Sequence, residues 1–235
     1  MTERIIKSAE RVKDHGEVFT PNKIVKLMLA QPEIQDKIYN LSATFLEPSA
    51  GEGAFLVELL KQKLEAALSQ SKNASTYNRN SLIALASLYG IEYLEDNVEM
   101  LVMNMITTFN QDYTHGITTF NKKPNTKVLD SAKTIIRANM AQGDTLKHTT
   151  SDGSAIIFSE WTSVGSKVQR TEYTFESIIT QSGPTGTVQN ASEQLDLFAE
   201  TDAFDNAPKT EQTKLPKYAL CNWIDIYKQK LEVEG

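Results

Sequence analysis

The chain has 235 residues, a formal net charge of −6, and one cysteine beside three histidines. This length can bury one sizeable core but hardly two full domains, and so few Cys and His side chains exclude a disulfide framework or a zinc cluster within one chain. The acidic balance argues against a strong sequence-independent grip on phosphates, which needs clustered Lys and Arg. No signal-peptide pattern and no apolar run of membrane-spanning length occurs, so we expect a cytoplasmic protein without membrane contact.

The first elements predicted along the chain are two helices. Residues 1–15 place apolar side chains on one side and charges on the other, which is typical of an amphipathic helix. Thr20 and Pro21 follow, and a Thr-Pro pair is typical of the residue that caps a helix and the first residue within it. The apolar face expected for that second helix consists of Ile24, Val25, Leu27 and Met28.

The next stretch is the most informative in the chain. A short apolar run, residues 44–46, leads into a loop with two glycines and then into apolar residues at helical spacing, which predicts a strand, a glycine loop and a helix. Pro48 keeps Glu47 extended, so its carboxylate is expected at the strand end beside the helix start. Gly51 and Gly53 allow a tight turn and the close approach of a ligand to the main chain.

The chemistry of this loop favours one class of ligand. Its two carboxylates, Glu47 and Glu52, would repel a pyrophosphate, and the loop lacks the third glycine of the dinucleotide-binding fingerprint. Acidic groups suit a ligand that carries an ammonium or sulfonium group and ribose hydroxyls. S-adenosylmethionine has all three. The alternative is a plain glycine-rich turn that binds nothing.

Apolar spacing predicts further helices after the glycine loop. We expect a polar break over residues 71–80 and more helix over residues 81–86. Another helix is expected to be capped by Asp96 or Asn97 and to give way to a loop over residues 110–128, which is rich in Thr, Asn, Lys and Gly.

Two further strands are expected to end in polar residues. The second strand ends in Glu92 and Tyr93, and the third, residues 138–141, is followed by Asp144. Glu92 is placed to bind both ribose hydroxyls, Tyr93 to cover one face of an adenine ring, and Asp144 to accept a hydrogen bond from an exocyclic amine. Taken singly, each has a simpler explanation: a surface acid, a core aromatic and a common Gly-Asp turn.

Strands that alternate with helices predict an α/β domain with a largely parallel sheet and helices on both faces. Residues 1–164 are expected to form this domain. Residues 165–214 shift to a polar composition, with one or two strands expected within residues 168–179 and a flexible linker beyond them. Residues 215–235 are expected to end the chain as a helix with an aromatic face.

Four motifs carry a resemblance to a known family. They are Gly-Glu-Val-Phe-Thr-Pro at residues 16–21, the glycine loop at residues 46–56, Tyr-Gly-Ile-Glu at residues 89–92 and Gly-Asp-Thr-Leu at residues 143–146. In this order they resemble the adenine-specific (N6) DNA methyltransferases of restriction-modification systems, in the group whose cofactor half is N-terminal. The resemblance covers about residues 15–150 and implies a Rossmann-like methyltransferase fold, incomplete at its C-terminal side, that uses S-adenosylmethionine.

The resemblance also implies roles for individual residues. The cofactor-binding set expected on this basis is Thr20, Pro21, Glu47, Pro48, Gly51, Gly53, Glu92, Tyr93 and Asp144. Thr20 and Pro21 would contact the methionine end, Glu92 the ribose, and Asp144 the adenine amine. No metal is expected.

The chain departs from the family pattern at the catalytic motif. Family members end a fourth strand in Asn-Pro-Pro-Tyr or Asp-Pro-Pro-Tyr, which aims acceptors at the amino group of a flipped-out adenine. At the matching place this chain has Ser159, Glu160 and Trp161, which are therefore the candidate catalytic residues. The alternatives are that Trp161 is a half-buried aromatic and that a second subunit supplies the catalytic and DNA-recognition parts.

A last motif lies in the polar C-terminal segment. Residues 194–198, Gln-Leu-Asp-Leu-Phe, resemble the peptide by which bacterial polymerases and repair proteins dock on the replication sliding clamp. Leu195, Leu197 and Phe198 would fill apolar pockets, and the Gln194 amide would bond to main chain. The alternative is a short piece that packs back on its own domain.

Two functions are thus expected, and they are not exclusive. The first is an S-adenosylmethionine-dependent DNA adenine methyltransferase, or its cofactor-binding subunit. The second is a non-catalytic, methyltransferase-like protein that docks on the sliding clamp.

Overall fold

The computed structural model describes residues 20–183 and 217–232, together with Ser8, Glu10, Arg11 and Lys13. Most of the predicted N-terminal helix, the segment at residues 16–19 and the predicted docking peptide at residues 194–198 lie outside the described residues. The helices are α1 (Asn22–Leu29), α2 (Pro32–Tyr39), α3 (Ala54–Ser69), α4 (Ala74–Ala86), α5 (Glu95–Thr118), α6 (Thr126–Asn139), α7 (Phe175–Thr180) and a 3₁₀ helix (Trp223–Lys228). The strands are β1 (Phe45–Glu47), β2 (Leu88–Glu92), β3 (Met140–Gln142), β4 (Ile157–Val164), β5 (Lys167–Thr174) and β6 (Cys221–Asn222).

A three-stranded parallel sheet in the order β1-β2-β3 forms the centre of the fold. Its register pairs Glu47 with Gly90 and Glu92 with Gln142. The carboxyl ends of all three strands therefore meet at one edge, where ligands bind in open parallel sheets. The predicted α/β class is confirmed to this extent.

Helices α3, α4, α5 and α6 all contact the middle strand β2. Their apolar stripes explain the packing: α3 fully buries Leu56, Leu59 and Leu60, and the apolar spacing of that helix predicts this face. A parallel sheet needs such cover because its strands are apolar on both faces. The main core lies between these helices and the sheet.

One charged side chain is buried within this core. Lys63 of α3 has no exposed surface, and its Nζ donates hydrogen bonds to the C=O groups of Asn40, Leu41 and Ala43 at 3.0–3.1 Å. Burial lowers the pKa of Lys63 to about 7. This side chain fixes the loop that leads into β1, because one Nζ bonds three of its carbonyl groups.

A second sheet, antiparallel and in the order β4-β5-β6, was not predicted. The family pattern implies a fourth strand that ends at Ser159, Glu160 and Trp161, in a sheet expected to be largely parallel. Instead, β4 begins at Ile157 and pairs with β5 through a short turn at Gly165, whose φ is 61°. A two-strand hairpin needs only that turn, whereas a parallel neighbour needs a longer crossover. The expected strand at residues 168–179 is β5 followed by the short helix α7.

Two predicted helix boundaries are wrong. Helix resumes at Ala74 rather than at residue 81, because the Asn73 side chain caps it by accepting a hydrogen bond from Thr76 N–H at 2.9 Å. Helix α5 runs on to Thr118, through half of the loop predicted at residues 110–128. The ring of Tyr113 stacks on that of Tyr77 at 5.7 Å between centroids and extends the buried face of the helix.

The expected caps of α5 and the expected C-terminal helix are also corrected. Leu94 is the residue that precedes α5, and neither Asp96 nor Asn97 caps it. Residues 217–232 form β6 and a 3₁₀ helix in place of a long helix, and Ala219 N–H donates to the Lys230 C=O at 2.8 Å. The segment folds on itself because both of its flanks gain main-chain partners in this way.

Candidate functional site

A cleft of about 470 Å³ lies at the carboxyl end of β1, between the start of α1 and the glycine loop. Its walls also include one face of α5. The lining residues are Thr20, Pro21, Val25, Met28, Glu47, Ser49, Ala50, Gly51, Glu52, Ala54, Phe55, Val57, Asn104, Thr107 and Thr108. The volume is within the range of small-molecule sites, which is about 300–1,000 Å³.

The glycine loop is built as its sequence predicts. Gly51 and Gly53 both have left-handed backbone conformations, with φ of 54° and 90°. A Cβ on Gly53 would lie 2.5 Å from Leu101 Cδ1 of α5, so only glycine lets the loop pack this closely on that helix. Gly51 has open space around it and faces the cleft.

Glu47 and Glu52 give the cleft its charge. No Lys or Arg is among the lining residues named above. Burial raises the pKa of Glu47, and a hydrogen bond from the Ser49 main chain opposes this only in part. The Glu52 C=O is fixed by Asn104 Nδ2 at 2.9 Å. The acidic lining of this cleft therefore favours a ligand that carries a positive charge.

Glu92 lies behind the glycine loop rather than in the cleft wall. Its side chain is buried, with 6% of the residue exposed. Oε2 accepts a hydrogen bond from Gly51 N–H at 2.8 Å, and Oε1 accepts from Leu94 N–H at 3.0 Å and from Asn97 Nδ2 at 3.3 Å. The carboxylate therefore ties the tip of β2 to the loop after β1.

Tyr93 follows Glu92 at the end of β2, and Asp144 lies beyond the end of β3. Asp144 Oδ1 accepts hydrogen bonds from the N–H groups of Leu146 and Lys147, and Oδ2 is 3.3 Å from Lys147 Nζ. Desolvation raises the pKa of Asp144, but the hydrogen bonds with Lys147 and Leu146 outweigh it, so the pKa is lowered. Tyr93 is 55% exposed and is thus open to a flat ligand.

Hydrogen bonds join the loops at the three strand ends into one unit. Thr145 Oγ1 donates to the Pro48 C=O at 2.6 Å, Gln142 Nε2 to the Tyr93 C=O at 2.8 Å, and Gly143 N–H to the Glu92 C=O at 3.0 Å. The predicted residues at these ends are therefore neighbours across the edge of the sheet.

The structure brings part of the predicted cofactor set into one cleft. Thr20, Pro21, Glu47 and Gly51 line it. The others, Pro48, Gly53, Glu92, Tyr93 and Asp144, are not among its lining residues and lie in the neighbouring loops.

Sequence reasoning missed the contribution of α5 to the cleft. Asn104, Thr107 and Thr108 line it from that helix. Their spacing of i, i+3 and i+4 places them on one face of the helix. Other polar residues occur along α5, so the sequence does not single out this face.

The candidate catalytic residues lie away from this cleft, on β4. Ser159 is buried, and its Oγ accepts a hydrogen bond from Arg170 Nε at 2.9 Å. Trp161 is 9% exposed and its Nε1 donates to Asn139 Oδ1 at 3.0 Å, while the Arg170 guanidinium lies over its ring at 5.2 Å. In this position Trp161 is a buried aromatic on a strand, where the simpler interpretation of the sequence expects a half-buried one.

Glu160 faces a second, apolar groove of about 530 Å³ beside β1. Its Oε2 accepts a hydrogen bond from the Tyr173 hydroxyl at 2.9 Å. Ser159 also lines this groove, and none of the cofactor-binding candidates does. The three candidate catalytic residues and the cleft are thus separate in this conformation.

Residues 20–183 and 217–232 contain no group of three or more His, Cys, Asp or Glu side chains placed to hold a metal ion. None of the helices described here is long and apolar enough to cross a membrane.

Comparison with protein-family models identifies the family. The model of the family N-6 DNA methylase matches residues 3–183, which is more than half of the chain. The chain therefore belongs to the N-6 DNA methylase family, and the resemblance seen in its motifs is confirmed. Comparison with curated proteins gave no significant match, and comparison with solved structures gave none either.

Proposed function

We propose that this chain binds S-adenosylmethionine in the cleft between α1 and the glycine loop, as the cofactor-binding part of a DNA adenine methyltransferase. One observation carries the proposal: in a member of the N-6 DNA methylase family, Thr20, Pro21, Glu47 and Gly51 converge on an acidic cleft at the end of β1. The function implies action on cytoplasmic DNA, within a restriction-modification system.

The residues present fit this cofactor. The Glu47 carboxylate suits its ammonium and sulfonium groups, and Asn104, Thr107 and Thr108 offer amide and hydroxyl donors for its carboxylate. When bound, S-adenosylmethionine supplies an electrophilic methyl group. The role of this chain is to hold and orient the cofactor and to exclude water from it.

Glu92, Tyr93 and Asp144 are the residues we assign to the nucleoside end. A carboxylate accepts about four hydrogen bonds, and Glu92 receives three from Gly51, Leu94 and Asn97. One acceptor position therefore remains for a ribose hydroxyl while the glycine loop stays in place. The exposed ring of Tyr93 suits the flat face of adenine.

Transfer to DNA needs groups that the cleft does not contain. Acceptors must draw off the positive charge that develops as an exocyclic nitrogen attacks the methyl group. Ser159, Glu160 and Trp161 lie elsewhere, and the chain has no Asn-Pro-Pro-Tyr motif. We assign these acceptors, and the grip on DNA that a chain of net charge −6 lacks, to a second subunit.

Calorimetric titration with S-adenosylmethionine tests the cofactor site. Wild type is expected to bind, and Glu92→Ala to bind at least about ten-fold more weakly. Glu99→Ala is the matched control, because Glu99 is an exposed carboxylate on the neighbouring helix α5. Absence of binding by wild type, or equal loss in both variants, contradicts the proposal.

The same samples test catalysis when labelled cofactor and adenine-rich duplex DNA are added. Binding without label on the DNA is the result expected for a cofactor subunit. Label on the DNA from this chain alone would show that no second subunit is needed.

A further inference from the structure

A buried amide connects the N-terminal segment to Glu92. Asn97, in the first turn of α5, has only 1% of its surface exposed. Its Nδ2 donates to Glu92 Oε1 at 3.3 Å, and its Oδ1 lies 3.5 Å from Arg11 Nη2. One side chain thus faces the candidate ribose carboxylate on one side and a guanidinium on the other.

Arg11 is itself held at this place by a second residue of α5. Its Nη1 and Nη2 donate to Asp96 Oδ2 and Oδ1 at 3.0 and 3.1 Å. This two-pronged pairing fixes the plane of the guanidinium. Arg11 therefore presents an N–H donor to Asn97 Oδ1 in a fixed direction, in addition to placing a positive charge nearby.

The position of Arg11 decides which way the Asn97 amide points. An amide has a donor end and an acceptor end, and Arg carries donors only. With Oδ1 toward Arg11, Nδ2 faces Glu92 and donates to it. If the amide were reversed, two donors would face each other at Arg11 and two acceptors would face each other at Glu92.

The orientation of Asn97 matters for the glycine loop as well. Oε1 of Glu92 receives the bonds from Leu94 and Asn97, so Oε2 is left for Gly51 N–H and one further partner. If the Glu92 carboxylate rotated, it would lose the hydrogen bond from Gly51 N–H. Gly51 is one of the residues that line the cleft. Contacts between side chains and main chain thus link four residues in the order Arg11, Asn97, Glu92 and Gly51.

We propose that Arg11 and Asn97 are positioning residues that hold Glu92 in the rotamer that supports the glycine loop and receives a ribose hydroxyl. The proposal deepens the proposed function and rests on it for its effect on cofactor affinity. Through Arg11, the N-terminal segment is thereby coupled to the cofactor site, from a position 81 residues before Glu92 in the sequence.

The test is a double-mutant cycle on the full chain. Arg11→Ala and Asn97→Ala are each expected to weaken S-adenosylmethionine binding about ten-fold, and the double variant no more than the worse single variant, because both act through one contact. Arg11→Lys is expected to keep part of the affinity, since Lys retains the charge but not the fork. Lys13→Ala is the control, because Lys13 is an exposed cation in the same segment.

A second readout needs no ligand. In the free protein, Arg11→Ala is expected to shift the amide resonance of Gly51, which hydrogen-bonds to Glu92, while Lys13→Ala leaves it in place. A general loss of structure would broaden or move resonances throughout, so the comparison with residues of α4 separates the two causes.

These readouts distinguish failure of this proposal from failure of the proposed function. An unmoved Gly51 resonance in Arg11→Ala overturns the positioning role, and so do multiplying losses of affinity in the double variant. If wild type binds no S-adenosylmethionine, the proposed function fails, and the Gly51 resonance alone decides whether Arg11 positions Glu92.

Discussion

At the scale of single residues, the site has carboxylates whose surroundings give them opposite properties. Burial raises the pKa of Glu47, whereas hydrogen bonds lower that of Asp144. A carboxylate whose ionised form is disfavoured in the free protein is stabilised by the arrival of a cation. The charge of Glu47 is therefore expected to lower the stability of the free protein and to favour the binding of a cationic ligand.

We expect Glu47→Gln to have effects of opposite sign on stability and on binding. Because the pKa of Glu47 is raised on folding, the folded chain binds more protons and loses stability as pH rises through the ordinary pKa toward the raised one. Removing the charge should thus raise the melting temperature of the free protein at neutral pH. The same change should weaken S-adenosylmethionine binding about ten-fold, measured by calorimetry.

The pH dependence of binding provides the check on this prediction. Wild-type affinity should fall as pH is lowered toward the raised pKa of Glu47, while Glu47→Gln should lack that component. Lower thermal stability of the variant at neutral pH, or the same pH dependence as in wild type, would contradict it.

At the scale of elements, the entrance to β1 depends on α3. Lys63 is the donor for three carbonyl groups of the loop between α2 and β1, and no part of it is exposed. Its position four residues after Leu59 places it on the buried face of α3, where an apolar residue would normally stand. The element that carries Glu47 is therefore fixed by a charge inside the core.

Lys63→Met is expected to destabilise the fold by about 1–3 kcal/mol near pH 6, because three carbonyl groups of the loop lose their donor. The pH dependence follows from the lowered pKa of Lys63, about 7. Between about pH 7 and about pH 10.4 the unfolded chain keeps a proton that the folded chain has lost, so stability rises with pH by up to about 1.4 kcal/mol per unit.

Chemical denaturation at pH 6, 8 and 9.5 measures this contribution. Wild type should gain stability relative to Lys63→Met over this range. Parallel pH profiles of the two proteins would show that Lys63 does not titrate there. Lys61→Met is the control, since Lys61 is an exposed residue of the same helix.

At the scale of the whole molecule, the acidic charge and the placement of the site call for a partner. The chain has a net charge of −6, and the candidate cleft contains no Lys or Arg among its lining residues. Strong binding to DNA requires cations. A second subunit and a sliding clamp that encircles DNA are the two partners that the sequence suggests, and both remain proposals.

We expect a sliding clamp to retain the wild-type chain in a pull-down and to lose it when Leu197 and Phe198 are changed to Ala. Apolar anchors of this kind carry most of the energy of peptide docking, so about a hundred-fold loss is expected from the pair. Val188→Ala, another apolar residue of the same polar segment, is the control. Equal retention of wild type and the double variant would contradict the clamp proposal. That result would not bear on the proposed cofactor site.

Much of the parallel sheet and its polar ends follows from local sequence. Pro48 keeps Glu47 extended, the glycines allow the turn, and alternating strand and helix patterns place Glu92 and Asp144 after successive strands. These signals depend on only a few neighbouring residues, so they can be interpreted without knowledge of the rest of the fold. The predicted bounds fail where a distant partner decides, as in α5, whose Tyr113 is held by stacking on Tyr77.

The sequence by itself therefore determined the family, the class of fold and the residues at the strand ends. Only the tertiary structure decided that α5 supplies a wall of the cleft, that Trp161 is packed against Arg170 and Asn139, and that Arg11 lies beside Asn97. The physical reason is the range of the interactions. Backbone preferences and apolar spacing are local, whereas a hydrogen bond between side chains 86 positions apart depends on how every intervening element packs.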